Sequence, residues 1–499
     1  MRNTGQELDN KKVENATKWS VVTEFSAKLI VPITNMVLAR ILAPDAFGII
    51  ASITMVVSFA DMFASAGFRT YLVQHEYLSE DDLYKGASVV FWTNIVFSLV
   101  LWVLIFSFKD IIAIAIGNEG KGMALAITAF ILPVTSFSSI QQALYQRSFN
   151  YKILFYNRLV ASILAFVITI PLALLGYGYW SLIAGMVMGE IAKAVILTIK
   201  SNWKPNFYYD FSLLINMLSF SLWTLADTFT KWATTWIDIL IIGNILGIYY
   251  TGLYKNSQSI VTGIIALITA AIMPVLFGAL SRTQDSDEEF NKILFKFQKY
   301  VSIFTLPMGV GIFVFSDLIT AILLGSQWSE ASSFIGIWGL CTSLVATYGT
   351  FCRDVYWAKG KPRLSLIVQI LHLVFVVPIC YYGVLRGFNT LIYVRSLAFL
   401  QIIIVHFIFM KVFIKISPRK MVMSTIEPLL CSIIMGLLAW FSLQYIEGSL
   451  AKFALIIICM LFYFLCLSIF PTYRTLFVDI KHKIITRNKH TQSMCYVNK

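Results

Sequence analysis

Apolar runs of about twenty residues recur along almost the whole chain, from Ser20 to Phe470. Each run is long enough to cross roughly 30 Å of hydrocarbon as an α-helix. Inside lipid only helices and closed β-barrels satisfy their backbone hydrogen bonds, and the sequence contains no series of short alternating segments typical of a barrel. Only 13% of the residues are charged, against about a quarter in soluble domains. The sequence therefore predicts an all-α polytopic membrane protein.

We predict fourteen membrane spans joined by short connections, which leaves no sizeable domain outside the membrane. The predicted spans are 18–42, 46–67, 86–108, 122–142, 155–176, 179–200, 213–245, 248–278, 298–324, 331–352, 363–384, 389–411, 426–445 and 451–471.

The lysines and arginines are distributed unequally between the two sides of these spans. With fourteen spans both termini share one side, and that side carries 29 of the 39 basic residues while the opposite side carries five. Cytoplasmic loops are enriched in Lys and Arg, so both termini are expected in the cytoplasm. The net charge of +13 then reflects topology and contact with anionic lipids, and we expect no nucleic-acid partner.

The seven cysteines lie mostly inside apolar spans and form no C-x-x-C pair. We interpret them as small buried side chains, and we expect no disulfide framework, metal site or cofactor. The sequence contains no G-x-x-x-x-G-K-[ST], HExxH or G-x-S-x-G motif, so an ATPase, a zinc peptidase or a serine hydrolase is not indicated.

The first and seventh predicted spans each carry an acid and a lysine four residues apart. The pairs are Glu24 with Lys28, and Asp227 with Lys231, at an offset of 203 residues. Four residues are about one helical turn, so each pair shares a helix face and partly neutralises itself. A lone charge at mid-membrane costs about 2.5–3.5 kcal/mol, which favours a face turned to a hydrated interior. Ion pairs that lock the helices without a ligand are the alternative.

The same two spans end alike, which extends the repeat. An Ile-Leu pair is followed six residues later by glycine in both copies, Ile41, Leu42 and Gly48 in the first and Ile245, Leu246 and Gly252 in the second. The offset of 204 residues predicts two parallel halves of six spans with two further spans at the end. The predicted division is a six-helix bundle over 1–200, a cytoplasmic linker over 201–212, a second six-helix bundle over 213–411, two helices over 412–471 and a basic tail over 472–499.

Other ionisable residues lie within the spans. Asp61 falls in the cytoplasmic half of span 2 and Lys255 near the outer end of span 8. We expect Asp238 and Arg395 to snorkel toward the outer interface from their separate spans. The ionisable residues of spans 6, 11 and 12 are given structural roles. We interpret Glu190 and Lys193 as an intrahelical ion pair, and His372 and His406 as packing residues. Pro32 and Pro274 predict bends in spans 1 and 8.

Several stretches in order resemble one family. They are LARILAPDAFGI (38–49), GYGYWSLIAG (176–185), DILIIGNILGIYYTGLY (238–254), IMPVLFGALSRTQDS (272–286), LLGSQWSEA (323–331) and WAKGKPRL (357–364). The chain resembles the Wzx-type polysaccharide flippases of the multidrug/oligosaccharidyl-lipid/polysaccharide exporter superfamily, over nearly its whole length. The resemblance implies two six-helix bundles around a central cavity lined largely by spans 1, 2, 7 and 8. It also implies alternating access in a bacterial cytoplasmic membrane, with an undecaprenyl-diphosphate-linked oligosaccharide as substrate.

This substrate assigns expected roles to the intramembrane residues. Three lysines, Lys28, Lys231 and Lys255, suit the diphosphate, and Trp232 and Trp236 suit the sugars. Three acids, Glu24, Asp61 and Asp227, are candidates to exchange a coupling proton or cation. Membrane lipids, and the glycosyltransferases and polymerase of a surface-polysaccharide pathway, are the other partners implied. A cation-coupled drug antiporter of the same superfamily, a membrane-embedded polymerase and a structural assembly partner remain as alternatives.

Overall fold

The computed structural model describes residues 33–65, 68–471 and 473–474, together with Trp19 and Ile30, and these residues form helices and no β-strand. The expected all-α membrane fold is confirmed. A helical segment over 33–41 comes first. The following helices are α1 (Pro44–Ser65), α2 (Phe68–Gln74), α3 (Glu80–Ser107), α4 (Lys109–Ala115), α5 (Gly122–Ala129), α6 (Ile131–Arg147), α7 (Tyr151–Leu174), α8 (Tyr179–Lys200), α9 (Phe211–Ile245), α10 (Ile248–Arg282), α11 (Asp287–Val314), α12 (Ser316–Leu323), α13 (Ser332–Tyr348), α14 (Thr350–Ala358), α15 (Pro362–Leu385), α16 (Phe388–Phe409), α17 (Pro418–Met423), α18 (Ile426–Leu443) and α19 (Ser449–Ser468), with a 3₁₀ turn at Ser326–Ala331 and a π turn at Met410–Ile414.

Within the described residues, eleven helices are long and apolar enough to cross a membrane, or twelve if the two parts of α10 count as one span. The sequence predicted fourteen spans, two more than these twelve. Span 213–245 corresponds to α9, a helix of 35 residues, and most of span 18–42 lies outside the described residues. The axis of α10 bends by 45° between Ile248–Ala270 and Val275–Arg282. The bend falls at the segment that contains Pro274, as expected, while Pro32 lies outside the described residues.

Side-chain caps fix where two of the long helices begin. The Ser79 hydroxyl accepts a hydrogen bond from the backbone N–H of Asp82 at 3.1 Å, so α3 begins at Glu80. Ser286 caps α11 in the same way, accepting from the N–H of Glu289. α11 then runs unbroken to Val314, so the segment after Ser286 belongs to the same helix as the predicted ninth span.

Helix contacts follow the order of the chain. In the first half α3 packs on α6, and α8 packs on both α6 and α7; in the second half α11 packs on α13 and α15 on α16. The two halves meet mainly where α1 crosses α10, with α9 also against α1. The last two helices, α18 and α19, pack on each other and on α11. The division at 200 and 411 stays a prediction.

Two glycines allow α1 and α10 to touch backbone to backbone. A Cβ on Gly48 would overlap the carbonyl oxygen of Ile248, and a Cβ on Gly252 would overlap the carbonyl oxygen of Pro44. Pro44 and Ile248 are related by the same offset of 204 residues as the glycines, so the contact is reciprocal. Small residues permit this close approach of membrane helices. We call these four residues the glycine crossing; it lies at the end predicted to face outward.

A second reciprocal contact lies beside the crossing. The Arg40 guanidinium donates to the carbonyl oxygen of Ile322 in α12, which follows the third span of the second half. Asn244, at the repeat-related position, donates through Nδ2 to the carbonyl oxygen of Ala115 in α4 at 2.9 Å, and α4 follows the third span of the first half. The indole Nε1 of Trp328, which is fully buried, adds a 2.8 Å hydrogen bond to the carbonyl oxygen of Ala39. At this end of the molecule, side chains of each half therefore donate hydrogen bonds to backbone carbonyls of the other half.

Candidate functional site

The sequence-predicted site residues are only partly described. Glu24 and Lys28 lie outside the described residues, and so does the side chain of Asp227, although its backbone belongs to α9. Whether the two acid–lysine pairs face one interior therefore stays a prediction. Lys231 is described and lies on an exposed face of α9.

Lys255 and Trp236 form a cation–π pair between α9 and α10. The Lys255 ammonium lies 4.1 Å from the centre of the Trp236 ring, and its Nζ is 3.3 Å from Oε1 of Gln258. An ammonium held over an indole face is stabilised by about 0.5–2 kcal/mol, more when water is excluded. Both side chains are half-buried, and Lys255 lies seven residues into α10, about 10 Å from its predicted outer end.

Trp232 links α9 to α1 one turn earlier. Its Nε1 donates to the Ser58 hydroxyl at 3.1 Å, and its ring lies 4.7 Å from that of Phe59. Because this contact joins the two halves, Trp232 stands at their interface, while its role as a wall for sugars stays a prediction. Nearby, Asn35 Nδ2 lies 3.4 Å from the Ser259 hydroxyl, which joins the first helical segment to α10.

A polar cavity of about 300 Å³ lies between helices of the first half and α9. Three ionisable side chains line it: Asp61 on α1, Arg69 on α2 and Glu190 on α8. Leu225 and Thr228 close it from the side of α9. The other polar lining residues carry hydroxyl or amide groups and are Thr70, Asn94, Thr135, Ser136, Ser138, Ser139 and Gln142. Of the predicted site residues that the structure describes, only Asp61 lines this cavity.

Most groups of the polar cavity have partners within the wall. Thr135 Oγ1 lies 3.1 Å from Asp61 Oδ1, and the Lys193 ammonium pairs with Glu190 at 2.5 Å, which confirms the intrahelical pair. Asn94 differs from them. Its side chain is 3% exposed, and its Oδ1 has no hydrogen-bond partner in the described part of the chain. A buried acceptor without a donor costs about 1–3 kcal/mol, so Asn94 Oδ1 is suited to accept from a bound molecule.

The cavity wall was only partly expected from the sequence. The expectation placed the tryptophans that contact sugars on span 7, yet the hydroxyls and amides of the cavity come mainly from α6, with Thr70, Asn94 and Thr228 as the others. Single serines, threonines and amides within apolar runs carry little signal by themselves. A useful signal was available in "VTSFSSIQQ", 134–142, where polar residues interrupt an apolar span more densely than in its neighbours.

The interpretation of Asp238 and Arg395 as separate snorkelling residues is wrong. Arg395 Nε donates to Asp238 Oδ2 at 2.9 Å, and the side chains are 5% and 1% exposed, respectively. The Tyr254 hydroxyl donates to the same oxygen at 2.6 Å, so α9, α10 and α16 are tied together. Depth could have revealed the pair: Asp238 lies seven residues before the end of α9 and Arg395 seven after the start of α16, about 10 Å in each case.

An apolar cleft of about 360 Å³ lies between α10 and helices that follow it in the chain. Its walls come from α10, α11, α12, α18 and α19, and include Ile268, Pro307, Met308 and Phe464. Both buried histidines lie elsewhere in the second half and are satisfied as expected. His372 Nδ1 lies 2.9 Å from Gln401 Oε1, and His406 Nδ1 lies 3.1 Å from the Tyr356 hydroxyl.

Comparison with known proteins decides the family. The profile of a family described as "Polysaccharide biosynthesis protein" matches residues 37–333, more than half of the chain. The chain belongs to this family. Its matched region includes the helices of the glycine crossing, the polar cavity and the Lys255–Trp236 pair, and the resemblance to Wzx-type flippases is confirmed.

Individual members of the family are distantly similar to this chain. The succinoglycan biosynthesis transport protein ExoT of Rhizobium meliloti is 24% identical over 69% of both chains. The lipopolysaccharide biosynthesis protein WzxC of Escherichia coli is 20% identical over 74% of both. ExoT is described as a transport protein, in line with the transport role that the resemblance implies.

Two solved structures share the fold of the chain described here. One is the lipid II flippase MurJ in an inward closed conformation, with a TM-score of 0.77, 18% identity and coverage of 92% of this chain and 100% of that chain. The other is an inward-facing multidrug transporter of the MATE family, with a TM-score of 0.62, 13% identity and coverage of 79% and 98%. At these identities the likeness concerns the fold alone.

Proposed function

We propose that this chain is a flippase that moves oligosaccharide repeat units on an undecaprenyl diphosphate carrier from the cytoplasmic to the outer leaflet. The membrane is then the bacterial cytoplasmic membrane, with both termini in the cytoplasm, and the product serves a surface polysaccharide. The observation that carries the proposal is the polar cavity between helices of the first half and α9, with Lys231 and Trp232 about one turn further along α9. The family match, and relatives described as transport proteins of polysaccharide pathways, support it.

The lysines provide the affinity for the diphosphate. Lys255, over Trp236, and Lys231, on the exposed face of α9, carry positive charge into the helix array. An ammonium binds phosphate oxygens as a point charge and needs no fixed plane of donors, which suits a head group that moves during transport. Lys28 is proposed as the third base, and Trp232 and Trp236 as apolar walls against which a sugar ring can stack.

The carrier tail requires an apolar surface continuous with the bilayer. The apolar cleft beside α10 offers one, since its lining is almost wholly hydrocarbon and thioether. Lys255 lies on the same helix α10 as Ile268 of the cleft, so a head group in the interior and a tail in the cleft could be held by one helix. This arrangement avoids bringing the charged head group into contact with lipid.

Alternating access requires a closure that opens. The glycine crossing and the paired contacts of Arg40 and Asn244 close the end predicted to face outward, with Phe47 packed against Trp328 beside them. We propose that these contacts separate when the bundles rock to release substrate outside. Glu24, Asp61 and Asp227 are proposed as the groups whose protonation or cation binding drives this change.

Reconstitution tests the proposal. Proteoliposomes containing a fluorescently labelled undecaprenyl-diphosphate oligosaccharide would be treated with membrane-impermeant dithionite, which bleaches only the outer-leaflet label. We expect the protein to make the inner-leaflet label accessible, and a Lys231→Ala/Lys255→Ala variant to do so far more slowly. A protein that transports ethidium but leaves the lipid label protected would be a drug transporter, and the proposal would be rejected. In cells, deletion should strand lipid-linked repeat units, supplied by glycosyltransferases, before they reach the polymerase.

A further inference from the structure

The walls of the polar cavity match the hydrogen-bonding pattern of a sugar. Each sugar hydroxyl both donates and accepts. The hydroxyls of Thr135, Ser138 and Ser139 already donate to oxygens within the wall, so they offer acceptors to a ligand. The guanidinium and amide groups of the cavity lining supply donors. Asn94 Oδ1 adds an acceptor without a donor, and the carboxylate of Asp61 adds another acceptor beside it. Such a wall satisfies a polyol and has little to offer a hydrocarbon chain.

The charged side chains at and beside this cavity balance one another. Asp61 and Glu190 contribute two carboxylates, and Arg69 together with Lys193, which pairs with Glu190, contributes two positive charges. A dianionic diphosphate gains nothing from a neutral cavity when Lys231 and Lys255 stand nearby. A neutral polar ligand is not repelled there. The polar cavity therefore suits the sugar of the substrate, and the lysines of α9 and α10 suit its diphosphate.

Position connects these regions. Thr228 lines the cavity on α9, and Lys231 and Trp232 follow it by three and four residues. Residues at these spacings are neighbours on a helix surface, with Cβ atoms about 5–6 Å apart. A phosphate held by Lys231 would therefore lie within a sugar's reach of the cavity.

We infer that the polar cavity is a subsite for a neutral sugar residue, the one bonded to the diphosphate, and that Asn94, Ser139 and Gln142 determine which sugar fits. This inference rests on the proposed function and deepens it. The cavity volume of about 300 Å³ lies at the lower end of the range of small-molecule sites, about 300–1,000 Å³, which suits one or two sugar rings and excludes a whole repeat unit.

Binding of two defined lipids to the full chain in nanodiscs tests the subsite. The probes are undecaprenyl diphosphate and the same lipid carrying a single N-acetylglucosamine or galactose, with tryptophan fluorescence as readout. We expect at least one sugar-bearing lipid to bind more tightly than the sugar-free lipid. Gln142→Ala and Asn94→Ala should each reduce that difference about 3- to 10-fold, as expected for a lost hydrogen bond, and leave the affinity for the sugar-free lipid unchanged.

Gln146→Ala is the matched control, because Gln146 lies one turn further along α6 and does not line the cavity. If neither lipid binds the unaltered chain, the proposed function fails. If both bind equally, or if Gln142→Ala weakens both alike, the flippase proposal stands and the sugar subsite is rejected. Gln142 is only half-buried, so its variant keeps the test valid should Asn94→Ala fail to fold.

Discussion

Gly48 and Gly252 occupy equivalent places in two copies of a repeat, and each lies against the backbone of the helix that carries the other. A Cβ on either residue would overlap the carbonyl oxygen four residues before its counterpart, that of Ile248 or Pro44. The two contacts are thus related by an approximate two-fold axis, and each consists of a glycine against a backbone carbonyl of the other helix. Larger side chains of both halves pack beside the crossing, such as Phe47 against Trp328, so opening must separate them as well.

Gly252→Ala should disrupt this crossing. The added methyl group must push α1 and α10 apart, and overpacking of this kind costs about 1–3 kcal/mol. We expect a lower free energy of unfolding in a detergent–denaturant titration. We also expect a higher rate of labelling of a cysteine placed at Ala39, which is fully buried, because the closed end opens more often.

Gly278→Ala is the control on the same helix. No atom lies within 4 Å of a Cβ at Gly278, and alanine is favoured over glycine in a helix by about 0.5–1 kcal/mol. This variant should be neutral or slightly stabilised. Equal behaviour of the two variants would show that the crossing is not a tight contact.

Arg395→Met should strongly destabilise the second half of the chain. It leaves the Asp238 carboxylate 1% exposed and without its ion-pair partner, and breaking a buried pair by removing one member costs about 3–5 kcal/mol. Asp238→Leu/Arg395→Met removes both charges and should recover much of that loss, as measured by the free energy of unfolding. A double variant whose destabilisation equals the sum of the two single ones would contradict a coupled pair.

The example of Asp238 and Arg395 marks the limit of what the sequence could predict. The repeat was visible because acid, lysine, Ile-Leu and glycine recur at nearly one offset, and periodic apolar runs predict helices in lipid directly. The ion pair joins spans 157 residues apart, and nothing local in either span selects the partner. Equal depth made the pair possible, but choosing it required knowing that α9 and α16 are neighbours.

Some residues of the candidate site could be predicted from the sequence, and others could not. Lys231, Lys255, Trp232 and Trp236 were predictable since a charge or an indole within an apolar span is conspicuous. Asn94 was not, because its importance comes from an unpaired Oδ1 that only tertiary packing reveals. Sequence signals therefore identify residues that are costly in lipid, whereas cavities built from modest polar groups on several helices need the fold.

Lys255→Ala should slow lipid transport by at least about tenfold, because a hydrogen bond from a charged group is worth about 1.5–3 kcal/mol. Lys255→Arg keeps the charge and the stacking on Trp236 and should retain much of the rate. Initial rates in the dithionite assay, at equal amounts of reconstituted protein, provide the measurement. The matched control is Lys121→Ala, since Lys121 also stands over an aromatic ring, that of Tyr179 at 5.0 Å, but at the predicted outer surface. A loss of rate in both variants would indicate a general need for positive charge and not a head-group site.

Asp61→Asn tests whether the polar cavity also couples transport to a gradient. The change keeps the size of the side chain and the hydrogen bond from Thr135, which lies 3.1 Å from Asp61 Oδ1, but removes the group that can bind and release a proton or cation. If Asp61 couples the cycle, transport by the unaltered chain should fall when an imposed proton or sodium gradient is collapsed by an ionophore. The Asp61→Asn variant should be slow with or without the gradient. Asp110→Asn, in α4 and outside the cavity, should retain the full response. A chain whose transport ignores both the ionophore and the substitution runs on consumption of product outside, and Asp61 then serves only the wall of the cavity.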